Sequence, residues 1–150
     1  MIALLSLHAL AAVIWVGGMF FAHQCLRPAA ADLLPPPQRL PLWRQTLARF
    51  FMWVWPAIIL LPVTGYAIVF SLGGFTHASL AVKIMHHGGW LMIVVFLFVF
   101  FLPFRALSAA VNKQQWPQGG KQMNIIRHAV TFNMLLGLAL IAVAVSGRYW

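Results

Sequence analysis

The chain has 150 residues, 63% of them hydrophobic and 7% charged, and its ten Lys and Arg face a single acid, Asp32, for a formal charge of +9. One carboxylate side chain excludes any mechanism built on paired carboxylates, and one cysteine, Cys25, excludes an internal disulfide. The positive charge would suggest nucleic acid in a soluble protein, but the apolar fraction points to a lipid bilayer as partner and to no nucleic acid.

Four stretches, 1–26, 50–82, 84–104 and 128–147, contain no Lys, Arg, Asp or Glu. A hydrocarbon core of about 30 Å is crossed by roughly 20 helical residues. Water is absent there, so each backbone satisfies its own hydrogen bonds as a helix. The expected fold is all-α: one domain, 1–150, forming an antiparallel four-helix transmembrane bundle with spans at about 4–25, 51–72, 80–104 and 127–147.

The first stretch lacks a basic n-region and exceeds a usual signal h-region, so it reads as a span. Pro28 is expected to end it, and 29–37 to form a loop stiffened by Pro35-Pro36-Pro37. Leu40, Trp43, Leu47 and Phe50 then recur at helical spacing between Arg39, Arg44 and Arg49. That pattern predicts a short cytoplasmic amphipathic helix over 38–49, lying on the membrane surface and feeding the second span. Pro56 and Pro62 should bend that span. Gly73-Gly74 closes it, and 75–79 is a short outer turn. The third helix begins near Leu80 and continues through Arg105 to about Trp116, where 117–120 breaks it. The fourth runs from near Met123 to Gly147. Trp43, Trp53, Trp55 and Trp116 fit one aromatic belt, and Tyr149 with Trp150 the other.

Charge orients the bundle. Arg27, Arg39, Arg44 and Arg49 fall between the first two spans, and Arg105, Lys113, Lys121 and Arg127 between the last two; the opposite face has only Lys83 and Arg148. The positive-inside rule puts both long connections in the cytoplasm and both termini outside. In a Gram-negative cell this is an inner-membrane protein with periplasmic termini.

With acids absent, His, Met, Cys and Lys must carry any site. His8 on the first span and His86 and His87 on the third share a depth of roughly 6–12 Å below the outer surface, at 1.5 Å per helical residue. His8, Trp15 and Met19 form one stripe, and Ala9, Ala11, Ala12, Gly17-Gly18 and Gly88-Gly89 leave room for a close approach. Histidines on two helices with small neighbours suit bis-imidazole heme b. Imidazole with the sulfurs of Met19, Met85 and Met92 suits Cu(I). Lys83 either snorkels outward or neutralises an anionic group such as a heme propionate. His23, Cys25 and His128 make a second, weaker cluster at the cytoplasmic face. Asn133 reads as interhelical glue. For all of these a plainer role exists, as bonds to headgroups, water or carbonyls.

The run Leu7-His8, small and apolar residues, Trp15, then Gly17-Gly18 resembles the first-helix signature of the copper resistance D family of bacterial inner-membrane proteins. Residues 80–92, with Lys83, and 133–150 resemble that family's later helices more weakly. The resemblance implies copper handling. The layout is also similar to HemJ-type protoporphyrinogen oxidases, which bind heme b, but Ile93 and Val94 stand where that group has a histidine. The expected function is therefore binding or conducting copper near the periplasmic face, with His8 as principal ligand, His86, His87, Met19 and Met85 as further candidates, and Trp15 and Lys83 beside the cofactor. The alternatives are a heme-b redox protein, which would make the chain an electron carrier or oxidase, and an accessory subunit, in a homo-oligomer or larger membrane complex, with no site of its own.

Overall fold

The computed structural model describes residues 1–147, so Arg148 and the Tyr149–Trp150 pair lie outside the described residues. Helix α1 covers Ile2–Phe21, and a π-helical turn, Ala22–Leu26, joins it to α2, Arg27–Leu33. Helix α3 is Pro36–Ser71, and a 3₁₀ turn follows at Phe75–His77. Helices α4, Leu80–Phe101, α5, Pro103–Asn112, and α6, Trp116–Ser146, complete the chain. Four helical rods, Ile2–Leu33, Pro36–Ser71, Leu80–Asn112 and Trp116–Ser146, are long and apolar enough to cross a membrane. This is an all-α, multi-pass membrane protein.

The prolines act differently from expectation. Pro28 does not end the first rod. In an α-turn its ring would strike the carbonyl four residues back. Here the Arg27 N–H reaches the Ala22 carbonyl, five residues back, and the wider turn relieves the crowding. The helix runs on to Leu33 and stops where Leu34 turns extended (φ −125°, ψ 129°) before Pro35. The three prolines are not a spacer: Pro35 caps α3, and Pro36 and Pro37 open it, where a missing N–H costs nothing. Pro117 likewise starts α6 rather than breaking a helix. It is Pro103 that interrupts the third rod, at Leu102 (φ −109°, ψ −85°).

Helix α3 passes through Pro41, Pro56 and Pro62 without a break. The amphipathic stretch 38–49 is helical and continuous with the second span. Its stripe of Leu40, Trp43 and Leu47 is buried in the bundle rather than laid on a surface. Leu40 comes so close to α6 that a Cβ on Gly119 would stand 3.0 Å from its Cδ1. At the other end, Gly73 (φ 100°) and Gly74 (φ 83°) adopt backbone that glycine takes without strain. Ser79 then caps α4, its Oγ accepting from the Val82 N–H.

The interior is aromatic. Phe51 on α3 meets Phe96, Phe100 and Phe104 with ring centroids 4.9–5.6 Å apart, edge to face. Trp15 on α1 meets Phe96 from the other side at 6.2 Å. Val54, Leu107 and Ile126 are essentially without exposure. Apolar residues on the outside, such as Leu10, Val13, Met52, Ile59, Val94 and Leu135, present the lipid face. The basic residues from Arg27 to Arg49 and Arg105 to Arg127 collect at the end holding the 34–35 and 113–115 turns.

Gly137 packs tightly against α1 and α4: a Cβ there would lie 2.7 Å from Val16 Cγ2 and 3.1 Å from Met92 Cε. Gly17 has nothing within 4 Å. Gly137→Val should destabilise the detergent-solubilised protein by about 1–3 kcal/mol, and Gly17→Val by less than about 0.5 kcal/mol. Thermal unfolding followed by near-UV circular dichroism checks the contrast, and equal losses would contradict this packing.

Candidate functional site

The outer candidates have different partners in the structure: His8 pairs with α3, and His86 and His87 meet each other on α4. His8 leans over Gly65 of α3, where a Cβ would lie 3.4 Å from its Cε1. Its Nδ1 is 2.8 Å from Thr64 Oγ1. The Thr64 hydroxyl has one proton, and it goes to the Leu60 carbonyl at 2.6 Å. His8 Nδ1–H is therefore the donor, and the Nε2 lone pair is left over.

His86 lies among other rings, 5.0 Å from Phe75, 5.6 Å from Tyr66 and 5.1 Å from His87. His87 is exposed, and its Nδ1–H donates to the Lys83 carbonyl at 2.8 Å. Lys83 is exposed and Met85 half-buried. The structure thus joins His86 to His87, but no ring contact or hydrogen bond joins either to His8 among the described residues. No three His, Cys, Asp or Glu side chains among the described residues are grouped to hold a metal ion. Cys25 and His128 are exposed, so the second cluster does not assemble either.

Trp15 and Met19 face something else: a cavity of about 270 Å³ inside the bundle, toward the basic end. Trp43, Leu47 and Phe51 line it from α3, and Phe96 from α4. Arg27, Arg39 and Arg127 stand around it, and no carboxylate does. His23 reaches it from the π turn, a widened helical turn of the kind that recurs at functional sites.

Two polar side chains inside are incompletely satisfied. His23 Nε2 is 2.8 Å from Thr131 Oγ1, whose own proton goes to the Arg127 carbonyl at 2.8 Å. His23 is therefore the Nε2–H tautomer, and its Nδ1 carries a lone pair that is buried and has no partner. Asn133, only 3% exposed, donates its Nδ2–H to the Met92 carbonyl at 3.3 Å, and its Oδ1 is also buried and unpartnered. Both atoms are acceptors, and both residues line the same cavity.

Thr64 and Thr131 escaped the sequence analysis. Each is a hydroxyl inside an uncharged apolar run, where a polar group needs a partner, and each settles a histidine's tautomer. No protein-family model, curated protein or solved structure matches the chain.

A buried unpaired acceptor costs roughly 1–3 kcal/mol. Asn133→Leu removes one, and the Met92 carbonyl belongs to a helix that already occupies it. The substitution should leave stability unchanged or raise it by about 1 kcal/mol. Thr64→Val, which strands the His8 donor, should lower it by a similar or larger amount, with Thr64→Ser restoring it. Thermal unfolding in one detergent measures both; a large loss for Asn133→Leu would mean that Oδ1 has a structural partner.

Proposed function

We propose that this membrane protein binds a small molecule in its central cavity. The single observation carrying this is a cavity of about 270 Å³ with aromatic walls that is lined by both residues holding a buried unpartnered acceptor, His23 with its Nδ1 and Asn133 with its Oδ1. An apolar bundle has no structural use for two unpaired acceptors, and an apolar pocket with a few convergent polar groups is how small-molecule sites are built. The chemistry is binding: the cavity lacks a nucleophile next to a base, and none of its lining residues is an acid.

By the positive-inside rule the cavity opens toward the cytoplasmic face, with both termini across the membrane in the periplasm of a bacterial cell. Eight basic residues on one face against two on the other support this orientation. An alkaline phosphatase fusion at the C-terminus should be active and a fluorescent-protein fusion dark. The reverse pattern would place the cavity mouth on the outside.

A second reading keeps the copper resistance D resemblance, with copper as cargo at the outer end. His8 supports it: with Nδ1–H engaged by Thr64, the Nε2 lone pair has the form and second-sphere support of a metal ligand. In that case purified protein incubated with Cu(I) retains the metal, and His8→Ala loses it while His23→Ala does not. Retention that is indifferent to His8 contradicts a copper role at this residue.

A further inference from the structure

Resting on the cavity reading, we infer that the ligand is an amphipathic anion with hydroxyl donors next to its charge. Its anionic group sits among Arg27, Arg39 and Arg127, its hydroxyls donate to His23 Nδ1 and Asn133 Oδ1 once these two side chains turn into the cavity they line, and its apolar body packs on Trp15, Trp43 and Phe96.

The sign of the charge comes first. Three guanidiniums border the cavity, and the only acid in the chain, Asp32, is exposed and outside the lining. Arg39 donates to the Ala31 carbonyl, at a long 3.5 Å, and Arg127 to Asn124 Oδ1 and, at 3.4 Å, toward His128 Nε2; these bonds leave most of the five donors of each guanidinium free. Near a low-dielectric interior such charges attract an anion and repel a metal cation. Arginine also matches phosphate and carboxylate geometry in a way lysine does not. At the cavity the chain uses arginine three times and lysine not at all.

The donors come from the other two atoms. A bare fatty acid would neutralise the arginines and leave His23 Nδ1 and Asn133 Oδ1 unpaired. A neutral phenol would pair with them and leave the arginines alone. Only a molecule with both features satisfies the whole set. Size limits it further: at about 270 Å³ the cavity stands at the small end of ligand pockets, which run from about 300 to 1,000 Å³. That admits a compact head rather than a whole lipid. Two sources share this chemistry: the phosphoglycerol head of an anionic lipid, its chains leaving between helices, and a soluble aromatic hydroxy acid.

The test uses the full chain in a neutral detergent, with binding read from tryptophan fluorescence and thermal stability. The probes are dioctanoyl phosphatidylglycerol, dioctanoyl phosphatidylmethanol, 4-hydroxybenzoate, benzoate and the neutral donor hydroquinone. One hydroxylated anion, the lipid or the aromatic acid, should bind at least ten-fold more tightly than its hydroxyl-free partner, which also identifies the source. The double variant Arg39→Gln/Arg127→Gln should lose at least ten-fold, and Arg39→Lys/Arg127→Lys should recover part of it. Arg44→Gln, in the basic collar but outside the cavity, should change nothing. Asn133→Leu should erase the preference for the hydroxylated probe without unfolding the protein. Equal binding of the hydroxyl-free anions overturns the donor half. Equal losses for Arg44→Gln and the Arg39/Arg127 pair overturn the arginine half, leaving unspecific attraction to the collar. Tight hydroquinone binding without an anion preference overturns the inference and leaves the cavity reading intact. Binding of no probe at all counts against both.

Discussion

A bundle with almost no charge in its interior must pair each polar side chain it buries, because neither lipid nor a packed core supplies a partner. Here three side chains carry that constraint between helices. His8 reaches Thr64 on α3, His23 reaches Thr131 on α6, and Asn133 reaches the Met92 carbonyl on α4. The first two share one design: a threonine gives its proton to a carbonyl four residues back, which leaves its oxygen to accept from the histidine. The first rod is thereby tied to α3 near one end and to α6 near the other. With both ends fixed, Trp15 and Met19 between them are held against the aromatic core, and the space that remains is the cavity.

Among the described residues, His23 and Asn133 each keep a buried atom without a partner, and His8 does not. The difference separates a structural histidine with a spare lone pair from two residues that face an interior space with acceptors unmet. The arginines around the same space are unmet in the opposite sense, having charge without a carboxylate. Acceptors inside and cations at the mouth describe a complementary molecule rather than a folding requirement.

Much of the fold was legible in the sequence. Absence of charge marked the four spans, Gly73-Gly74 marked the turn, and the basic residues separated one end from the other. Prolines were misread because the same residue can stop a helix, start one or be absorbed. At Pro28 the outcome hung on a shift of pairing from four residues to five, and at Pro35–Pro37 and Pro117 on which residue became the cap; no local pattern reports either. The stripe through His8, Trp15 and Met19 was read correctly as one face, but depth alone does not say what lies opposite. At the level of His8 it is Thr64 and Gly65; at Trp15 and Met19 it is the cavity. The signal for His23 was present in Thr131, one helical turn after Arg127 in an uncharged run, but it required knowing that α6 packs beside the π turn.

The tautomers of two histidines carry the central claim, and imidazole ¹⁵N NMR on the protein in micelles reads them directly, with His8→Asn and His23→Asn variants for assignment. His23 should be Nε2–H with a bare Nδ1, and His8 the opposite, Nδ1–H with a bare Nε2. A His23 resonance pattern showing a protonated Nδ1 would mean that the cavity faces a donor rather than an acceptor, and the account of the site would be wrong.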